Sequence, residues 1–208
     1  APTTTESWAP TTAGQWQLHD IDLSIWDGQR IAIRFIGING FGNNLYLDNI
    51  QIEQSGVQLE IQAALEGPFD TNTNLMRDDL RAAGLVPPYE PYTALGYTQV
   101  QNGGGETAFP NVLSASGTDA VVDWVWVELR DATNPAIVVA THAAMIRRDL
   151  QVVAQDGRSP LSFKVNPGNY YVAIKHRNHL GCMTATATNL TADAPNLVLF
   201  SDPTTPMY

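Results

Sequence analysis

The segment His176-Arg177-Asn178-His179, followed three residues later by Cys182, gathers the side chains of this chain best suited to chemistry. Imidazole and thiolate ligate zinc, and imidazole moves protons near neutral pH. On a continuous strand, however, His176 and Asn178 share one face and Arg177 and His179 the other. Two histidines at i and i+3 converge on one ion only if the strand ends between them, and no fourth ligand is evident nearby. The architectural reading is therefore preferred. Arg177 pairs with a carboxylate such as Asp123 or Glu128, while His176, Asn178 and His179 fix a strand-to-loop corner. A buried pair of this kind is costly to break, because removing one partner leaves an uncompensated charge.

Asp123, Glu128 and Asp131 raise the question of a paired-carboxylate glycosidase. Asp123 and Glu128 are five residues apart on one strand, so they lie on opposite faces and roughly 16 Å apart along it. That geometry does not serve one bond. The chain has no Gly-x-Ser-x-Gly elbow, and Gly103-Gly104-Gly105 lacks the Lys-Ser/Thr of a phosphate loop. No catalytic residues are assigned. Trp124 and Trp126 alternate with Val125 and Val127, so both indoles lie on one face. Facing solvent they would form a sugar-stacking platform; facing inward they are core, the usual role of Trp in a sandwich. Core is the preferred reading. The best metal candidates are Asp48 and Asn49 with Asn43, Asp20 and Asp22, since calcium takes about six to eight hard oxygen ligands. The competing reading is that Asn43 and Asn44 adopt turn dihedrals and Asp48 caps a loop.

The composition sets what must position these groups. The 208 residues, 44% hydrophobic, can support a packed core, while charged residues reach only 15%. Thr, Asn, Gly and Pro fill the difference, as in strands joined by many turns. The formal net charge is −10 and the only lysines are Lys164 and Lys175, so the clustered cations that nucleic acid requires are missing. No apolar run of about 18 residues suggests a membrane span. Cys182 is the single cysteine and reads as a small buried hydrophobe. The opening Ala-Pro-Thr-Thr-Thr has no leader pattern, and a fragment of a longer protein is expected.

Residues 1–15 read as an extended Thr/Pro-rich arm. Residues 16–54 alternate as three or four strands, with a hairpin signal at Asp27-Gly28 and a turn at 40–44. So few strands do not close a core, so this domain is expected to need a neighbour. After Ser55-Gly56, residues 57–208 read as an immunoglobulin-like β-sandwich. Strands are expected at 57–66, 121–130, 137–147, 150–154, 161–165, 170–176, 183–190 and 197–200. A helix is expected at 75–83, from the spacing of Met76, Leu80 and Ala83 and the stop at Gly84. Residues 86–118 read as a long ordered loop. The fold class is thus all-β: partial jelly-roll strands, then a sandwich with one short helix.

Trp16, Ile21-Asp22-Leu23-Ser24, Ile33-Arg34-Phe35 and Gly42-Asn43-Asn44-Leu45-Tyr46-Leu47-Asp48-Asn49-Ile50 resemble the last strands of jelly-roll adhesin modules of the cleaved-adhesin and MAM-like group. That resemblance implies a structural calcium site near Asp48 and binding of proteins or glycans. Residues 57–208 resemble a module of very large secreted Bacteroidota proteins that use type IX secretion. The resemblance rests on Leu65-Glu66-Gly67-Pro68-Phe69, on residues 76–81 and 123–131, and above all on residues 170–181 around His176-Arg177-Asn178-His179-Leu180. It implies a cell-surface or secreted location. Together these lead to an expectation of a non-enzymatic structural or adhesion module that assembles with other subunits or with the rest of its own polypeptide. The alternative is a calcium-dependent carbohydrate-binding module.

Overall fold

The computed structural model describes residues 9–17, 19, 21, 23, 31–37, 46–50, 56–101, 103–202, 206 and 207. The chain divides into two compact units, Ala1–Glu53 and Gln54–Tyr208. In the first, a 3-10 turn spans Ala13–Gln15, and the Gln15 side-chain oxygen accepts the Thr11 and Thr12 backbone N–H groups at 2.7 and 3.1 Å. Strands are expected at 30–35 and 45–52; their described parts, residues 31–35 and 46–50, form none. Ile33, Phe35, Leu47 and Ile50 are all exposed.

The second unit is an all-β sandwich. Its strands are β1 (Val57–Gln62), β2 (Phe69–Asp70), β3 (Leu75–Met76), β4 (Val121–Asp131), β5 (Val138–Arg147) and β6 (Gln151–Val153), then β7 (Leu161–Phe163), β8 (Gly168–His176), β9 (His179–Met183), β10 (Thr188–Leu190) and β11 (Asn196–Leu199). The main sheet runs β10-β8-β4-β5-β6-β1-β11, with β7 added to β1 and β9 to β8. All its pairings are antiparallel except β1 with β11. The sheet folds over on itself. Val57, Leu59 and Ile61 of β1 alternate with exposed Gln58 and Glu60, and their side chains pack with Val125, Val127 and Leu129 of β4 and Val172 and Ile174 of β8.

A second apolar layer lies on the outer face of the sheet. Val121, Trp124 and Trp126 of β4, with Ala143 and Met145 of β5, are covered by Val86, Tyr92, Ala108 and Val112 of the loop spanning residues 86–118. Tyr92 and Tyr97 pack their rings 5.5 Å from the Trp126 ring, and the Tyr92 hydroxyl donates to the Trp124 carbonyl at 2.9 Å. Residues 121–129 of β4 are consequently buried on both faces. Trp124 and Trp126 are 0% and 1% exposed, so they form no sugar platform. They are core as preferred, but under the loop and not between the two layers of the sandwich.

The expected helix at 75–83 is mostly something else. Leu75 and Met76 pair with Asp70 and Phe69 as a short hairpin, with Asn74 at φ 55° in its turn. Only Asp79–Ala82 is helical (α1), and Leu80 is exposed. Met76 is fully buried from a strand, where its N–H donates to the Arg148 carbonyl at 2.8 Å. A tertiary backbone pairing has overridden a short helical period. The expected strand at 183–190 is likewise divided between the end of β9 and β10.

Replacing Trp126 by Ala removes an anchor shared by the sheet and the loop. The expected loss is about 3–5 kcal/mol in urea unfolding. The 86–118 segment should then be the first to be cut by protease, whereas a loss below about 1 kcal/mol would mean that the loop does not need the indole.

Candidate functional site

Asp123 lies near the start of β4, beside an irregularity between Val121 and Asp123 in the pairing with β5. It is 1% exposed, so its carboxylate needs partners. Four donors supply them. Arg177 forks onto both oxygens, Nη1 to Oδ1 and Nη2 to Oδ2, each at 2.7 Å. The Trp124 backbone N–H donates to Oδ1 at 2.8 Å, and His176 Nε2 lies 3.2 Å from Oδ2. Burial pushes the Asp123 carboxyl up, but the hydrogen bonds from His176, Arg177 and Trp124, with the Arg177 charge, hold it below the ordinary carboxylate value.

Strand β8 ends at His176 and β9 begins at His179, with Arg177 and Asn178 as the turn between them. The strand thus ends between the two histidines, and they become cross-strand neighbours with rings 4.7 Å apart. His176 Nδ1 accepts the Asn178 backbone N–H at 3.1 Å and lies 2.8 Å from His179 Nδ1. With His176 Nε2–H donating to Asp123, the consistent arrangement has His179 Nδ1–H donating to His176. The result is a carboxylate–imidazole–imidazole line that opens on a cleft of about 270 Å3, lined also by Leu65, Pro68, Arg77 and Leu80. Burial, then the neighbouring His176, lowers the pKa of His179 from 6.5.

The line orients His179 and leaves its Nε2 as an acceptor, a geometry that can take up a proton. Both His176 nitrogens are already engaged. Cys182 pairs with Ile174 and packs against the sandwich core, where burial raises its thiol pKa. Among the described residues no group of three or more His, Cys, Asp or Glu is placed to hold a metal ion.

Glu128 forms a second, separate node. It accepts from Lys175 at 2.6 Å, Arg130 Nε at 2.7 Å and Trp126 Nε1 at 3.0 Å. Burial raises its pKa, but the Lys175 and Arg130 bonds and charges bring it below the usual value. Between the two partners considered from sequence, Arg177 takes Asp123. Asp131 accepts the Thr133 and Asn134 N–H groups as a turn cap. Asp48 accepts its neighbour's Asn49 N–H at 2.8 Å, and Asn49 sits at φ 49°. Asn43, Asn44, Asp20 and Asp22 lie outside the described residues.

Sequence reasoning missed the two glutamates of the long loop. Glu90 is buried and accepts the N–H groups of Tyr92, Thr93 and Gly105 at 2.6, 3.0 and 3.0 Å. Glu106, also buried, accepts the N–H groups of Gly104 and Ala143 through Oε1 at 2.8 and 3.2 Å. Gly103 allows this seating: a Cβ there would fall 1.6 Å from the Thr141 carbonyl oxygen. The only signal in the sequence is a Glu following three glycines, and nothing in that spacing says which backbone amides it caps.

Replacing Asp123 by Asn leaves Arg177 without its counter-charge, and the expected loss in denaturant unfolding is about 3 kcal/mol. A change below about 1 kcal/mol would place the pair among ordinary surface ion pairs. The pH dependence has two steps. His179 has a lowered folded pKa, so its stabilising contribution is complete above 6.5 and is lost as pH falls below that value. The Asp123 contribution persists to lower pH and is lost below its ordinary 3.8. The fall in melting temperature between pH 7.5 and 5.5 should therefore shrink in His179→Gln; an unchanged fall would remove His179 as its source.

Comparison with protein-family models, with curated proteins and with solved structures returns no match to this chain.

Proposed function

We propose that the chain is a non-enzymatic structural or adhesion module of a larger surface or secreted protein, working through contact with other subunits or with further parts of the same polypeptide. The observation that supports it best is at the β8–β9 turn. His176 and Arg177 are occupied in holding the end of β8 to Asp123 of β4, His179 bonds back to His176, and beside them Leu180 is 99% exposed. The pairing of β8 with β9 is irregular between Ile174 and His176, in the stretch that sets out Leu180. Irregularities at a sheet edge re-aim side chains and limit uncontrolled edge pairing. A rigidly based apolar knob at such an edge suits burial against a partner, and Leu197 on β11 adds a second exposed apolar side chain on the opposite terminal strand of the sheet.

The surface or secreted location rests on the resemblance of residues 170–181, and the low lysine content agrees with it.

Leu180→Lys should leave the melting temperature unchanged, because the side chain touches little within the chain. The same substitution should abolish concentration-dependent association of the full chain in sedimentation velocity. A wild-type chain that stays monomeric at about 0.5 mM, weaker than an affinity of roughly 4 kcal/mol, would count against self-assembly through this edge.

A further inference from the structure

The cleft beside the β8–β9 turn, about 270 Å3, receives the free end of the Asp123–His176–His179 line. His179 gives its Nδ1–H to His176, and its Nε2 has no hydrogen-bond partner among the described residues. That nitrogen is also reachable. Among the described residues, Glu106 Oε2 is the one side-chain nitrogen or oxygen that is both buried and unpartnered, so an unpartnered His179 Nε2 keeps accessible surface. Residue 67 being a glycine helps to keep it open, since a Cβ there would stand 3.7 Å from Nε2. An imidazole nitrogen fixed as an acceptor by what its other nitrogen does is a ready partner for an N–H or O–H donor.

We propose that this cleft binds a primary alkylammonium group, one ammonium proton being donated to His179 Nε2 and the alkyl stem lying against the apolar wall. That wall is Leu65, Pro68, Leu80 and Val122, which suits methylene groups. Besides neighbouring His176, the groups whose charge bears on the His179 ring are the carboxylates of Glu66 and Asp123, and their field favours a cation. Asp79 adds a carboxylate to the lining, with 73% of its side chain exposed. Arg77 is the one Lys or Arg side chain of the cleft, and its guanidinium is already turned to the Gly67 carbonyl at 3.3 Å and towards Asp79 at 3.7 Å. An anionic ligand would have to draw Arg77 from both. An alcohol would satisfy His179 and gain nothing from the carboxylates. The volume lies below the roughly 300–1,000 Å3 of common small-molecule sites, which suits a small amine or a single lysine side chain.

The site does not depend on the assembly reading, because Leu180 does not line this cleft. A chain can bind an amine and stay monomeric, or assemble without binding one, so the two proposals fail separately.

The test titrates n-butylammonium chloride into the full chain at pH 7.5, against sodium chloride at equal ionic strength, and follows the backbone amides and the His179 ring by NMR. A saturable shift of the His179 ring is expected, with a dissociation constant of about 10 mM or tighter. The uncharged n-butanol should bind about tenfold more weakly or worse, since the charge-assisted bond is the stronger one. Nα-acetyl-lysine methylamide separates the two sources of such a group. Binding as tight as that of butylammonium marks a lysine side chain of a partner protein, and binding of butylammonium alone marks a free amine. His179→Phe keeps a ring but removes the acceptor, and should weaken binding about tenfold or more. Asp79→Asn changes an exposed side chain, and should weaken binding by about twofold to fivefold while the melting temperature stays put. It keeps the test decisive if His179→Phe disturbs the turn. A His179 ring that does not respond up to about 100 mM amine overturns the proposal, as does n-butanol binding equally well, or undiminished affinity in Asp79→Asn.

Discussion

Strand β4 is covered on both faces, and much of the second unit follows from that constraint. Its inner residues Val125, Val127 and Leu129 fill the sandwich, while Val121, Trp124 and Trp126 are sealed by the long loop. A strand so placed has no water for its charged side chains. Asp123 and Glu128 must therefore be neutralised by the protein itself. Asp123 draws Arg177 and His176 from the end of β8, and Glu128 draws Lys175 from β8 and Arg130 from β4. The pairing of β4 with β8 thus has two ionic nodes outside its backbone ladder, one near each end of the buried stretch.

This explains why the most chemical-looking segment of the sequence is an anchor. His176 is held by Asp123 on one nitrogen and by Asn178 and His179 on the other, and that arrangement orients the turn. Its stability is greatest when His179 is neutral and Asp123 is ionised. The network gives direction as well as energy: a bidentate Arg–carboxylate fork tolerates little rotation, so the β8–β9 edge and Leu180 keep a defined position.

The long loop plays the second architectural part. It behaves as a third layer, with Glu90 and Glu106 capping backbone amides that no sheet could reach and Tyr92 bonded to the main chain of Trp124. A loop tied down in this way can shape a cleft against the sheet, which a mobile connection could not. Glu106 is where the tying is incomplete, and that is what separates it from the other buried carboxylates.

The alternation of β1, the long apolar run of β4 and the turn signals at Asn134-Pro135 and Asp156-Gly157 made the all-β class and most sandwich strands legible in the sequence, because period-2 burial is written locally. The pairing of Arg177 with a carboxylate was legible as chemistry, but the choice of Asp123 over Glu128 was not, since it depends on the register of β4 against β8. Residues 75–83 show the limit from the other side: a helical period of three residues yields to one backbone bond from Met76 to Arg148, far along the chain. The alternation at 30–35 and 45–52 was equally visible, yet residues 31–35 and 46–50 form no strand among the described residues. Local pattern, then, determined most of the sandwich strands of the second unit and the inward face of β1. Only the tertiary structure decided what covers the tryptophans, which carboxylate meets which cation, and which glutamate keeps a buried oxygen with no partner among the described residues. Those outcomes depend on contacts between segments tens of residues apart, and no local period encodes them.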